Sequence, residues 1–149
     1  MSLGDYLRLL RAQKGGVTPM EIEAATGLTP GLYRYMEQRY RAVGDDDSIQ
    51  TLADYYEVPF EDLNWRLDWP RKGLSRALAA VVKAKAPITL YLWNGQSKTG
   101  RVVWWDLGAV ELEDEQGATQ IVQRHAVEQW DPRPPDPPQA EQDEPDDEE

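Results

Sequence analysis

Arg124 and His125 stand side by side near the end of the last apolar stretch of a 149-residue chain. A guanidinium presents a fork that can bond two oxygens at once. An imidazole beside it can donate or accept toward a base or a phosphate. Unpaired nucleic acid is held by such groups together with aromatic stacking. Catalysis has little to work with: there is one histidine, no cysteine and no glycine-rich phosphate loop. An enzyme is therefore not expected, nor a cofactor. Asp45, Asp46 and Asp47 could be imagined as metal ligands, but a solvated loop is the expected reading of such a run, so no metal site is expected. Without cysteine, disulfides and thiolate zinc sites are excluded.

Short strands must position these two residues. Ile88, Leu90 and Leu92 alternate with Thr89, Tyr91 and Trp93, a period of two with one buried face. Asn94-Gly95 follows as a hairpin signal. Residues 98–106 read as a second strand, with Val102 and Trp104 on one face and Val103 and Trp105 on the other. Gly100 inside it permits a sharp bend. Val110 and Leu112 alternate with Glu111 and Glu113 in a third strand, and residues 114–117 form a turn. Ile121 belongs to a fourth strand and Val127 to a fifth. Five short, bent strands with one apolar face predict a small barrel.

This order of residues resembles Hfq, the bacterial Sm-like RNA chaperone. Pro87 opens the first strand, and Tyr91-Leu92-x-Asn94-Gly95 reproduces its end and its turn. Gly100 and Asp106 fall at the family's positions in the bent second strand. Gln123-Arg124-His125-Ala126 stands where the family has Tyr-Lys-His-Ala, and Pro132 closes the segment. The run 74–85 looks like the family's N-terminal helix. The resemblance covers residues 74–132 and implies a helix plus a five-stranded bent Sm-like barrel. It also implies a hexameric ring that binds single-stranded RNA, small RNA and mRNA, in post-transcriptional regulation.

By the same resemblance, Arg124 and His125 would meet uridine-rich RNA on one ring face. Leu107 and Gly108 stand where the family clamps the uridine with a Gln and a Phe. Trp104 or Trp105 could offer a ring instead, although core packing is the commoner use of such residues. On the opposite face Tyr91 matches the stacking aromatic, Gly95 the tight turn and Gln120 the adenine-reading amide, which both donates and accepts. That face implies adenine-rich RNA. Lys83 and Lys85 are what remains of the family's basic rim. Open strand edges call for pairing between copies, and head-to-tail pairing of fourth and fifth strands would close a ring.

Residues 1–66 read as five helices. Ser2 with Asp5 forms a capping box, and Thr18-Pro19-x-Glu21 is a second start. Gly27 ends that helix, Thr29-Pro30 begins the next, and Tyr33 and Met36 face inward. The run 45–48 reads as a loop before a helix striped by Ile49, Leu52 and Tyr56. Pro59 opens the fifth helix, with Phe60 and Leu63 as its apolar positions. Residues 67–73 read as a linker.

The layout is similar to the lambda-repressor/Cro-like helix-turn-helix domain. The matching residues include Thr18-x-x-Glu21-Ile22, Ala25-x-Gly27-Leu28-Thr29-Pro30 and Val58-Pro59. The resemblance implies a helix from Thr29 that enters the major groove. Gly31, Leu32, Arg34 and Tyr35 are then the candidate DNA contacts, with Arg39 and Arg41 as a local basic patch. The expected fold class is thus α+β in two domains: a five-helix helix-turn-helix bundle followed by a helix and a five-stranded bent Sm-like barrel.

The net charge of −11 is at odds with nucleic-acid binding until it is located. Residues 133–149 hold Arg133 against eight carboxylates, so most of the acidity lies in a proline-rich tail. Such a tail cannot bury enough apolar surface to fold. It serves solubility or competes with RNA for a basic surface. The chain start lacks the pattern of a signal peptide, and no run is long and apolar enough to span a bilayer, so a cytoplasmic location is expected. Two further readings remain: a DNA-binding transcription regulator that its Sm-like part oligomerises, and a protein-interaction scaffold.

Overall fold

The computed structural model describes residues 1–38 and 45–132. The candidate contacts Arg39 and Arg41, and the acidic segment 133–149, lie outside the described residues.

Local capping starts the helices of the first half. In α1 (Leu3–Gln13) the Ser2 hydroxyl accepts from the Asp5 N–H and donates to the Asp5 carboxylate. The pair is thus closed between side chains. The reciprocal capping box is complete at α2 (Pro19–Thr26): the Thr18 hydroxyl accepts from the Glu21 N–H, and the Glu21 carboxylate accepts from the Thr18 N–H at 2.7 Å.

Helix α3 (Leu32–Gln38) starts later than Thr29-Pro30 predicted. The Leu32 N–H bonds to the Thr29 carbonyl, and Gly31 has a φ of 86°, so the chain turns once more before the helix begins. The buried Glu23 carboxylate then accepts from the Tyr33 N–H at 3.0 Å and caps the new helix from α2. The start is set by a partner nine residues before Leu32, which local sequence rules do not see.

Residues 45–48 are not the expected loop. Asp45 is the N-cap of α4 (Asp46–Tyr56), accepting from the Ser48 N–H at 2.8 Å. Asp46 and Asp47 occupy its first turn, where a helix N-terminus favours negative charge. Helix α5 (Phe60–Asn64) follows Pro59 and runs into a short 3-10 helix, Trp65–Asp68. Leu7, Ile22, Tyr33, Ile49, Leu52 and Leu63 form the buried centre of this half.

Helix α6 (Arg71–Ala84) begins earlier than expected, so only Trp69 and Pro70 of the stretch 67–73 lie outside helical structure. Strands β1 (Pro87–Leu92), β2 (Ser97–Trp105), β3 (Ala109–Glu113), β4 (Thr119–Gln123) and β5 (Val127–Asp131) form one antiparallel sheet in the order β4-β3-β2-β1-β5. A 3-10 turn, Arg124–Ala126, joins β4 to β5. Leu74 and Leu78 of α6 cover Ile88, Leu90, Val110 and Leu112 on the sheet. Among the described residues the barrel is not closed within one chain. Strands β4 and β5 each pair with a single neighbour and remain edges.

Strand β2 changes partners along its length. Its residues 97–101 pair with β1, and Arg101 onward pairs with β3. Gly100 sits at this crossover, buried, and a Cβ there would stand 2.6 Å from the Glu113 carbonyl oxygen. Beyond it the expected alternation fails. A β-bulge between Val102 and Trp104 adds one residue to the strand. Val102 and Trp105 therefore pack against the core, while Val103 and Trp104 are exposed. Strict period-two counting placed Trp104 with Val102.

The two halves meet at β5 through polar contacts. The Arg66 guanidinium donates to the Glu128 carboxylate at 2.5 Å, the Trp69 indole N–H donates to the Glu128 carbonyl at 2.8 Å, and the Met1 amino group donates to the Val127 carbonyl. Gly100→Ala should cost about 1–3 kcal/mol by forcing β3 away from the crossover. Chemical denaturation of the two proteins checks this, and equal stabilities would show that the close approach is not constraining.

Candidate nucleic-acid interface

Arg124 lies inside the fold. It is 4% exposed. Its guanidinium donates to the Asp106 carbonyl at 2.5 Å and to the Ser75 hydroxyl at 2.7 Å, and lies over the Trp105 ring at 5.4 Å from its centre. Its own N–H bonds the Gly108 carbonyl. The side chain thereby ties α6, the β2–β3 turn and the 3-10 turn together. The Asp106 carboxylate accepts from the N–H groups of Gly108 and Ala109, at 2.7 and 2.8 Å. Those two bonds, with Arg124 nearby, hold its pKa below the ordinary value of 3.8. Leu107 and Gly108 are exposed in this turn.

His125 is exposed. It borders a groove of about 300 Å³ between the two halves, shared with Asp5, Arg8 and Leu9 of α1, Trp93 of the β1–β2 turn, and Gln123. Trp93 was not singled out as a contact in the sequence. Its position immediately before the Asn-Gly turn was the available signal, since a turn lifts its flanking side chains toward solvent.

On β1, Tyr91 is 41% exposed. It stands opposite Ser97 on β2 and Gln129 on β5. Its hydroxyl donates to the Asp131 carboxylate at 3.0 Å, and that bond, with the Asp131 charge, raises the phenol pKa. Gly95 closes the β1–β2 turn, its N–H bonding the Leu92 carbonyl. Gln120 is half-buried on β4, opposite Leu112. Within one chain β2 and β3 lie between Gln120 and the strand of Tyr91, so the fold does not bring these two together. Lys83 in the last turn of α6 and Lys85 at its C-cap are both exposed.

The candidate DNA contacts divide. Arg34 and Tyr35 are exposed on α3, Leu32 packs against the helical core, and Gly31 lies in the preceding turn. Arg34 also borders an open groove of about 560 Å³ whose other walls include Met20, Leu28 and Pro30. These neighbours are apolar and supply no side-chain donors for base edges.

Residues 75–130 match the family model described as "Hfq related", and this segment is an Hfq-like domain. Among solved structures, the chain is similar to a crystal structure of the pleiotropic translational regulator Hfq, at 23% identity over 38% of this chain and 83% of that one, with a TM-score of 0.35. It is also similar to an Hfq protein from Anabaena sp., at 28% identity over 40% of this chain and 95% of that one, again with a TM-score of 0.35. A comparison with curated proteins finds no match.

Arg124→Ala removes charged hydrogen bonds from buried partners and should lower stability by about 1.5–3 kcal/mol in denaturant titration; an unchanged midpoint would refute the strut. Asp106 gives a pH test. Its folded pKa is lowered, so its contribution is fully present above 3.8 and is lost as pH falls through the folded value. Acid titration of stability should be shallower in Asp106→Asn than in the unaltered protein.

Proposed function

We propose that this chain is an Hfq-like RNA-binding protein that holds single-stranded, adenine-rich RNA on an oligomeric Sm-like ring, in post-transcriptional regulation. The observation that carries this reading is the exposed Tyr91 ring beside the Asn94-Gly95 turn, within the segment that matches the Hfq-related model. An exposed aromatic on a rigid strand is a stacking platform for a base.

Assembly follows from the edges. Among the described residues the β4 and β5 strands each pair with one strand only, and Ile121 on β4 is 65% exposed. Pairing β4 of one copy with β5 of the next would satisfy both edges and cover Ile121. Gln120 of one copy would then stand one strand away from Tyr91 of the next, in place of the two strands that separate them within a chain. A closed ring of six such contacts repeats the site around its face and raises avidity for repetitive RNA.

The exposed Arg34 and Tyr35 on α3 support a second reading, duplex DNA binding by a transcription regulator that the sheet oligomerises. Affinity measured at one fixed salt concentration separates the two. Adenine-rich RNA should bind more tightly than duplex DNA of equal length. Tyr91→Ala should weaken the RNA by roughly 1–3 kcal/mol, and Ile121→Asp should reduce the assembled mass. Tighter duplex binding that Arg34→Ala abolishes would replace the RNA reading.

A further inference from the structure

The outer side of β5 is taken up by the joint between the two halves. The Trp93 N–H donates to the Ala126 carbonyl at 3.0 Å. Ala126 thus faces β1, and the next carbonyl, that of Val127, faces away from it. There it accepts from the Met1 amino group. Glu128 is the extra residue of a β-bulge and has no counterpart on β1. Its carbonyl accepts from the Trp69 indole N–H at 2.8 Å, and its carboxylate accepts from Arg66 at 2.5 Å. Leu67 anchors the 3-10 helix of Arg66 in the helical core. The Trp69 ring packs edge-on to Trp130, with centres 6.0 Å apart.

We infer that this contact is autoinhibitory: the joint that carries Arg66 and Trp69 holds the β5 edge closed to β4 of a second copy, and a ring assembles only from chains in which the joint has let go. A paired strand lies about 4.8 Å from its neighbour, with each N–H nitrogen about 2.9 Å from the carbonyl oxygen it bonds. The Trp69 indole nitrogen already stands at such a distance from the Glu128 carbonyl. The two occupants exclude each other. Release strands no buried cation. Arg66 keeps the Asp62 carbonyl at 2.8 Å and the Tyr6 and Trp65 rings, whose centres lie 4.0 and 4.4 Å from its guanidinium carbon. The Arg66–Glu128 pair itself returns little net attraction, because desolvation offsets it. A strand that bonds the whole edge can therefore displace the joint. The inference rests on the ring reading above and adds its regulation: Tyr91 and Gln120 of neighbouring copies approach only in released chains.

Solution mass against protein concentration, measured by ultracentrifugation on the full-length chain, tests this. Trp69→Phe removes the indole donor, keeps an aromatic ring against Trp130 and leaves every strand residue unaltered. Glu128→Gln removes the charge that Arg66 meets. Each should assemble at a concentration roughly ten-fold lower than the unaltered chain needs, because a larger fraction of chains is competent. The two changes lie on opposite sides of the seam, so a folding defect in one leaves the other as the test. Adding Ile121→Asp to either should abolish the gain, which assigns it to the contact between β4 and β5. Variants that assemble as the unaltered chain does, with Ile121→Asp still breaking the particle, overturn the inhibition and leave the ring standing. A gain that survives Ile121→Asp also overturns it, since assembly then runs through another surface. Single chains at every concentration, in every variant, overturn the ring as well.

Discussion

The sheet is one continuous object because β2 serves two partners in turn. Its first half belongs to β1 and its second half to β3, with Arg101 paired to both Pro87 and Glu113. A strand can be shared in this way only if its neighbours approach closely where they change over, and Gly100 supplies the missing Cβ that the Glu113 carbonyl requires. The bulge just beyond adds twist and turns Trp105 inward under the guanidinium of Arg124. The apolar face of α6 shares one buried cluster with residues of β1, β3, β4 and β5. Among the described residues β4 and β5 are the outer strands of the sheet and do not pair with each other.

Arg124 shows how a cation can be withdrawn from a surface. Burying a guanidinium is costly unless its donors are met. Here a carbonyl, a hydroxyl and an indole face meet them. The neighbouring His125 stays outside because the 3-10 turn presents consecutive side chains in different directions. The chemistry available at that edge thus becomes imidazole, amide and indole, with positive charge contributed from α1 by Arg8.

The junction between the halves has a different character from their interiors. Each half has its own apolar cluster, whereas the seam is made of polar contacts to Val127 and Glu128 at the start of β5. Arg66 is buried and its partner Glu128 is only partly so. Such a pair adds less to stability than its short distance suggests, because desolvation offsets the attraction. It does fix orientation, which a flat apolar contact would not. Two carbonyls of an edge strand already accept bonds from the helical half, so any copy that joins β5 must accommodate that half beside it.

What could be read from the residues in order was the local chemistry. The Thr18–Glu21 capping box, the Asn94-Gly95 and Asp114–Gly117 turns, the apolar face of β1 and the bend at Gly100 each depend on side chains within a few positions of one another. The Hfq-like order of strands was legible for the same reason, since turns and alternation recur in register. Four things were not legible: the delayed start of α3, the bulge at Val103, the burial of Arg124, and the placing of α1 beside His125 and Trp93. Each is decided by a group distant in the chain or on another strand. The amino-acid sequence determined which residues can stack, donate or carry charge. Only the tertiary structure decided which of them face solvent together, because close packing assigns each side chain to core or surface through neighbours that linear order does not reveal.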